Sequence, residues 1–150
     1  MTQILKKHSR KNPGFPFQGY ALVVDENNAV RDVGQRMMER IGFPTITAGD
    51  GRETLEILRL EGRGIGLIIM SADLEPIEGL SPVQYVRGSW PEIPLALVMS
   101  TADSDTKAYY LSIGVCGVIE KPFGMEDLRV FIQNMRRHVA FYCDAEPVRT

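Results

Sequence analysis

Apolar residues in this chain gather in short runs that end on polar ones. Tyr20–Val24 stops at Asp25-Glu26, residues 67–70 stop at Ser71, Leu95–Met99 stops at Ser100-Thr101, and residues 115–119 lead to Lys121; Thr45–Ala48 is a weaker run of the same kind. Runs of large apolar residues without polar alternation suit strands covered on both faces, as in a parallel sheet. For residues 67–70, Gly66 in front and Pro76 and Gly79 behind leave too little length for a helix.

Helical patterns fill the intervals. Asn27-Asn28 supplies a cap, and Val30, Val33, Met37 and Ile41 form an amphipathic stripe closed by Gly42 and Pro44. Gly49-Asp50-Gly51 turns into a second helix whose Leu55, Ile57, Leu58 and Leu60 are expected to pack inward. Pro82 opens a third, with Val83 and Val86 inside and Gly88 as its stop. Residues 103–113 read as a fourth helix closed by Gly114, and residues 125–142 as a fifth with Leu128, Ile132, Met135 and Val139 on one face. This alternation predicts an α/β, (βα)5 fold: one doubly wound parallel sheet in the flavodoxin-like order 2-1-3-4-5, as a single domain. The domain is expected over residues 20–142, after a leader at 1–19 and before a tail at 143–150.

A length of 150 residues suits one domain with a substantial core. No apolar run approaches the roughly 18 residues that cross a bilayer, so no membrane partner is expected. The basic N-terminus lacks the apolar stretch of a signal peptide, which points to the cytoplasm. The formal charge of -2 hides an asymmetry: the leader carries Lys6, Lys7, Arg10 and Lys11, while every acid lies beyond it. The leader reads as a solvated segment rather than a nucleic-acid-binding arm, and no nucleic-acid partner is expected. Cys116 and Cys143 lack metal-ligand spacing and read as reduced thiols.

Composition leaves the chemistry open, and the strand ends supply it. Asp25-Glu26, Ser71 with Asp73, Ser100-Thr101 and Lys121 follow the first, third, fourth and fifth strands, and in this topology they face one crevice. Paired carboxylates suit Mg²⁺, while a lysine and a hydroxyl suit phosphoryl oxygens. A salt-bridged rim is the purely structural alternative.

At this point the sequence resembles the receiver domain of bacterial response regulators, over about residues 20–142. The likeness rests on Leu22-Val23-Val24-Asp25-Glu26-Asn27, Thr47-Ala48-Gly49-Asp50-Gly51, residues 67–79, Met99-Ser100-Thr101-Ala102 and residues 114–123 with Lys121-Pro122. The resemblance implies two-component phosphorelay signalling, with phosphate passed from a histidine kinase to an aspartate after the third strand. It also implies Mg²⁺ on the acidic pair, Thr101 and Lys121 contacting the phosphoryl group, and a cis Lys121–Pro122 bond.

The acceptor aspartate is where the chain departs from the family. Gly79 stands eight residues after Ser71 and Thr101 thirty after it, as the family pattern expects, so Ser71 takes the acceptor position. A rival register makes Asp73 the acceptor but leaves Gly79 only six residues on. A serine hydroxyl is a poor nucleophile until a base takes its proton, and losing a carboxylate weakens a site built from Asp25, Glu26 and Asp73, so Mg²⁺ binding is expected to be weak. Without metal or phosphate, Lys121 is expected to pair with Asp25 or Glu26. Val118 stands where receivers often carry Tyr or Phe, and Tyr109 and Tyr110 are candidates to line that interaction face instead.

The leading expectation is therefore a stand-alone, atypical receiver acting by protein-protein contact, with phosphotransfer lost or weakened. It would be a signalling protein rather than an enzyme, partnered by a histidine kinase or another signalling protein and by an output protein in trans. The first alternative is an active phosphorelay receiver using Asp73. The second is a metal-assisted phosphohydrolase built on Glu26, Asp73 and Thr101, which gains no support from His8 or His138, both remote from the crevice in sequence.

Overall fold

The computed structural model describes residues 19–101 and 103–145, with side chains placed as far as Met135. Strands β1 (Tyr20–Val24), β2 (Thr45–Ala48), β3 (Ile65–Ser71), β4 (Leu95–Met99) and β5 (Gly117–Glu120) alternate with helices α1 (Asn28–Ile41), α2 (Gly51–Glu61), α3 (Pro82–Ser89), α4 (Ser104–Ser112) and α5 (Met125–Ala145). All strand pairs are parallel, in the order β2-β1-β3-β4-β5, which is the predicted topology. The third strand begins two residues earlier than predicted and includes Ser71, the fifth begins at Gly117 rather than 115, and α5 runs past residue 142 to Ala145. The leader before Gly19 and the tail beyond Ala145 lie outside the described residues. Among the described residues no helix is long and apolar enough to cross a membrane.

Helix starts are set by side chains that accept otherwise orphaned backbone N–H groups. Asn27 Oδ1 accepts from Val30 N at 3.1 Å, Asp50 Oδ1 from Glu53 N at 2.7 Å, Ser81 Oγ from Gln84 N at 3.2 Å, and Asp103 Oδ1 from Thr106 N at 2.7 Å. Helix α1 ends on Gly42, whose φ of 119° turns its N–H back onto the carbonyls of Met38 and Glu39. That conformation carries a steric penalty for any residue with a Cβ.

Strand parity divides the core into two layers. Leu22, Val24, Ile68, Met70 and Leu97 face Leu55, Leu58, Val83 and Val86 of α2 and α3. Ala21, Val23, Ile69, Val98 and Ile119 face Met38 of α1 and Leu128, Ile132 and Met135 of α5. Each of these large side chains, taken fully out of water, contributes roughly 1.5–3 kcal/mol.

Three predicted inward positions point elsewhere. Leu60 is 66% exposed, because two residues on from Leu58 is about 200° around the helix. On α1 the buried residue is Met38; Val30 and Val33 remain 37% and 49% exposed, and they border a cavity instead of packing down onto the sheet.

The opposite end of the sheet is tied by Arg87, buried at the end of α3. Its guanidinium donates to the carbonyls of Trp90 (2.8 Å), Gly114 (3.2 Å), Pro91 (3.4 Å) and Ile93. One side chain thus joins the segment leading into β4 to the turn leading into β5.

Candidate functional site

Register brings the polar strand ends into one row. Val24 lies beside Met70, and Ser71 beside Val98, which lies beside Ile119. Backbone bonds from Asp25 N to Ala48 O (3.2 Å), Ala72 N to Val98 O (3.0 Å) and Lys121 N to Met99 O (2.8 Å) carry the ladders past the strand ends. By parity, Asp25, Ser71 and Lys121 continue the faces of Val23, Ile69 and Ile119, the layer shared with α1 and α5.

Lys121 Nζ stands 3.1 Å from Asp25 Oδ2, so of the two acids expected as its partner Asp25 is the one that pairs with it. Asp25 Oδ1 accepts from Asn27 N at 2.9 Å, so both of its oxygens are engaged. The Lys121–Pro122 peptide is cis. Arg31, which the sequence reading passed over, braces the acidic turn from outside. Its guanidinium donates to the Asp25 carbonyl at 2.6 Å, to the Glu26 carbonyl at 3.2 Å and to Asn28 Oδ1. A charged residue one turn into the helix after an acidic pair was the available signal.

Ser71 ends β3 and is 4% exposed. Its Oγ accepts from Asp73 N at 3.2 Å, and among the described residues its proton has no acceptor. Asp73 itself is exposed, as is Thr101 beyond β4. The loop that carries Asp73 is pinned by buried Leu74 and Ile77 and closed by a tight turn, where Ile77 and Leu80 exchange backbone bonds of 2.8 and 3.0 Å and Glu78 and Gly79 take positive φ.

The three carboxylates proposed for Mg²⁺ are not arranged as a ligand set. Glu26 Oε1 is taken by Glu75 N at 3.0 Å, Asp25 is spent on Lys121 and Asn27, and among the described residues no three Asp, Glu, His or Cys side chains converge enough to hold a metal ion. Mg²⁺ demands a near-octahedral oxygen shell at about 2.0–2.1 Å, and the residues as they stand do not fit it.

On the other face of the sheet, Tyr110 packs half-buried against the layer that includes Ala72 and Val118. Burial, then the neighbouring Tyr109 and Asp73, pushes its hydroxyl pKa up. Tyr109 is exposed; its ring meets that of Tyr110 edge-on at 5.2 Å, and its hydroxyl accepts from Gln84 Nε2 at 2.8 Å. Cys116 is a free thiol whose pKa burial raises; the side chain of Cys143 lies outside those described.

Behind the row lies a cavity of about 340 Å³ between α1 and α5. Asp25, Ser71 and Lys121 line it at the strand ends, and the rest of its lining is apolar, with Val30, Val33, Met37 and Phe123 among it.

The fold has counterparts among known proteins. In solved structures, the receiver domain of a Clostridium thermocellum response regulator superposes with a TM-score of 0.72 at 18% identity, covering 83% of this chain and 98% of that one. The Vibrio cholerae chemotaxis protein CheY4 superposes at 0.69 with 24% identity, covering 78% and 98%. In sequence, the "Probable transcriptional regulator ycf27" of Cyanidium caldarium is 28% identical over 122 residues, which are 81% of this chain and 48% of that protein. The Arabidopsis thaliana two-component response regulator ARR11 is 25% identical over 118 residues, 77% of this chain and 22% of that protein. The chain thus spans about half the length, or less, of the curated relatives it matches. Residues 21–133, from the first strand into the last helix, match the response regulator receiver domain as a family, and with the sheet order and the crevice in agreement the chain belongs to that family.

Proposed function

We propose that this receiver domain signals by protein-protein contact, with phosphotransfer at the end of β3 lost or weakened. The observation that carries the reading is the buried serine hydroxyl at Ser71, where a receiver needs a carboxylate. A hydroxyl needs a base to become a nucleophile. Asp25, a carboxylate lining the same crevice, already accepts from Lys121 and Asn27. The Asp25–Lys121 ion pair holds two of the charged groups of the crevice against each other. Contact with a histidine kinase or another signalling protein would then depend on surface shape, with α4, β5 and α5 as the contact face and Tyr109, Tyr110 and Val118 its central residues. Exposed Tyr109, Leu111 and Val130 support that choice.

The rival acceptor is Asp73, whose exposed carboxylate makes no ion pair among the described residues. The deciding experiment is intact-mass analysis after acetyl phosphate and Mg²⁺, with beryllofluoride titration beside it, on wild type, Ser71→Asp and Asp73→Asn. The expected result is an unmodified wild type and a labile phosphoryl mass on Ser71→Asp. A wild-type adduct abolished by Asp73→Asn would replace this reading with an active phosphorelay receiver.

A further inference from the structure

The cavity between α1 and α5 adjoins the crevice and extends beyond it to Met37, Met38 and Leu128. Its walls are almost wholly apolar, and about 340 Å³ lies within the roughly 300–1,000 Å³ range of small-ligand pockets. It is bordered by Val30 and Val33, which α1 leaves exposed at 37% and 49%. Its polar groups, Asp25, Ser71 and Lys121, lie together at the strand ends, with Asp25 and Ser71 buried and Lys121 half-buried, while its exposed lining residues, Ala29, Val30, Val33 and Pro122, are apolar. Asp25 has both oxygens engaged. Lys121 gives one of its three ammonium protons to Asp25, and the Ser71 proton has no acceptor among the described residues. The free donors are two ammonium protons of Lys121 and the Ser71 hydroxyl proton, beside the remaining lone pairs of Asp25. The Asp25 charge is offset by Lys121, and Arg31 lies against its carbonyl.

We propose that this cavity binds a small monocarboxylate with an apolar body, its head on Lys121 and Ser71 and its body between α1 and α5. A charge-assisted hydrogen bond to the lysine selects a carboxylate over a neutral acceptor. The site rests on the preceding reading in one respect, that Ser71 is unmodified and keeps its proton.

The test is titration of the full chain with octanoate, octanol and octylamine, followed by calorimetry and by amide chemical shifts. Octanoate is expected to bind saturably and to shift the amides of Val33, Gly34, Met37 and Phe123. Lys121→Met should weaken it by about ten- to a hundredfold, to the level of octanol. Val33→Trp, placed at a half-exposed position so that folding is spared, should abolish octanoate and octanol binding alike. Absence of saturable binding overturns the proposal, as does octylamine or octanol binding as tightly as octanoate, or a Val33→Trp variant that binds normally. Failure here with phosphorylation confined to Ser71→Asp would leave the signalling reading intact. Octanoate binding to a wild type that is phosphorylated on Asp73 would overturn that reading alone.

Discussion

Lys121 and Asp25, 96 residues apart in sequence, meet at 3.1 Å across the carboxyl ends of β5 and β1. The carboxylate is the more deeply placed, its side chain 10% exposed against 28% for the lysine. Removing the lysine therefore strands the group less able to reach water. Lys121→Met is expected to cost about 1–3 kcal/mol, below the figure for a fully buried pair because Asn27 N still donates to Asp25. Asp25→Asn should cost less, since the lysine can turn outward. Urea midpoints for the two variants check the order.

Ser71→Asp adds a carboxylate to a strand end that already holds Asp25. Without metal, the like charges should lower stability by about 1–2 kcal/mol. With metal, a new oxygen ligand should raise Mg²⁺ affinity about tenfold or more over wild type. Thermal melts in Mg²⁺ and in a chelator check both signs at once: the variant should melt below wild type in the chelator and recover in Mg²⁺.

Two glycines should respond oppositely to alanine. At Gly42 an added Cβ meets nothing within 4 Å, so only the φ of 119° opposes it, and Gly42→Ala should cost about 1–2 kcal/mol. Gly88 lies inside α3 with equally open space and no left-handed φ, so Gly88→Ala should stabilise by about 0.4–1 kcal/mol. Chemical denaturation of the pair separates backbone conformation from crowding.

Asp103 caps α4, and its hydrogen bonds from Thr106 hold its carboxyl below the usual range. A pKa depressed by folding contributes stability that is present above the unfolded value and is lost as pH falls through the folded one. The start of α4 should thus be intact at neutral pH and fray only below about pH 3.9. Following the Thr106 amide shift from pH 6 to 2.5 should show that titration, and Asp103→Asn should remove it.

Strands and helix caps were legible because their signals are local. An unbroken apolar run, or an Asn, Asp or Ser before a helix, carries its meaning within a few residues. The shared edge for Asp25, Ser71 and Lys121 was legible too, since parallel strands put their ends together. The orientation of each acid was not. Glu26 turns to Glu75 N, 49 residues on, and nothing beside Glu26 in the chain signals it. The cavity was hidden for the same reason: Val30 and Val33 read as a core stripe, and only the placing of α1 against Phe123 and Leu128 leaves the space open.

Arg87 gives the fold a mechanical polarity. Its four carbonyl partners clamp the amino ends of β4 and β5, the end away from Asp25, Ser71 and Lys121. For engineering, the segment from Trp90 to Ile93 is accordingly a poor place to open the chain or insert a reporter, since it carries three of these four carbonyl partners.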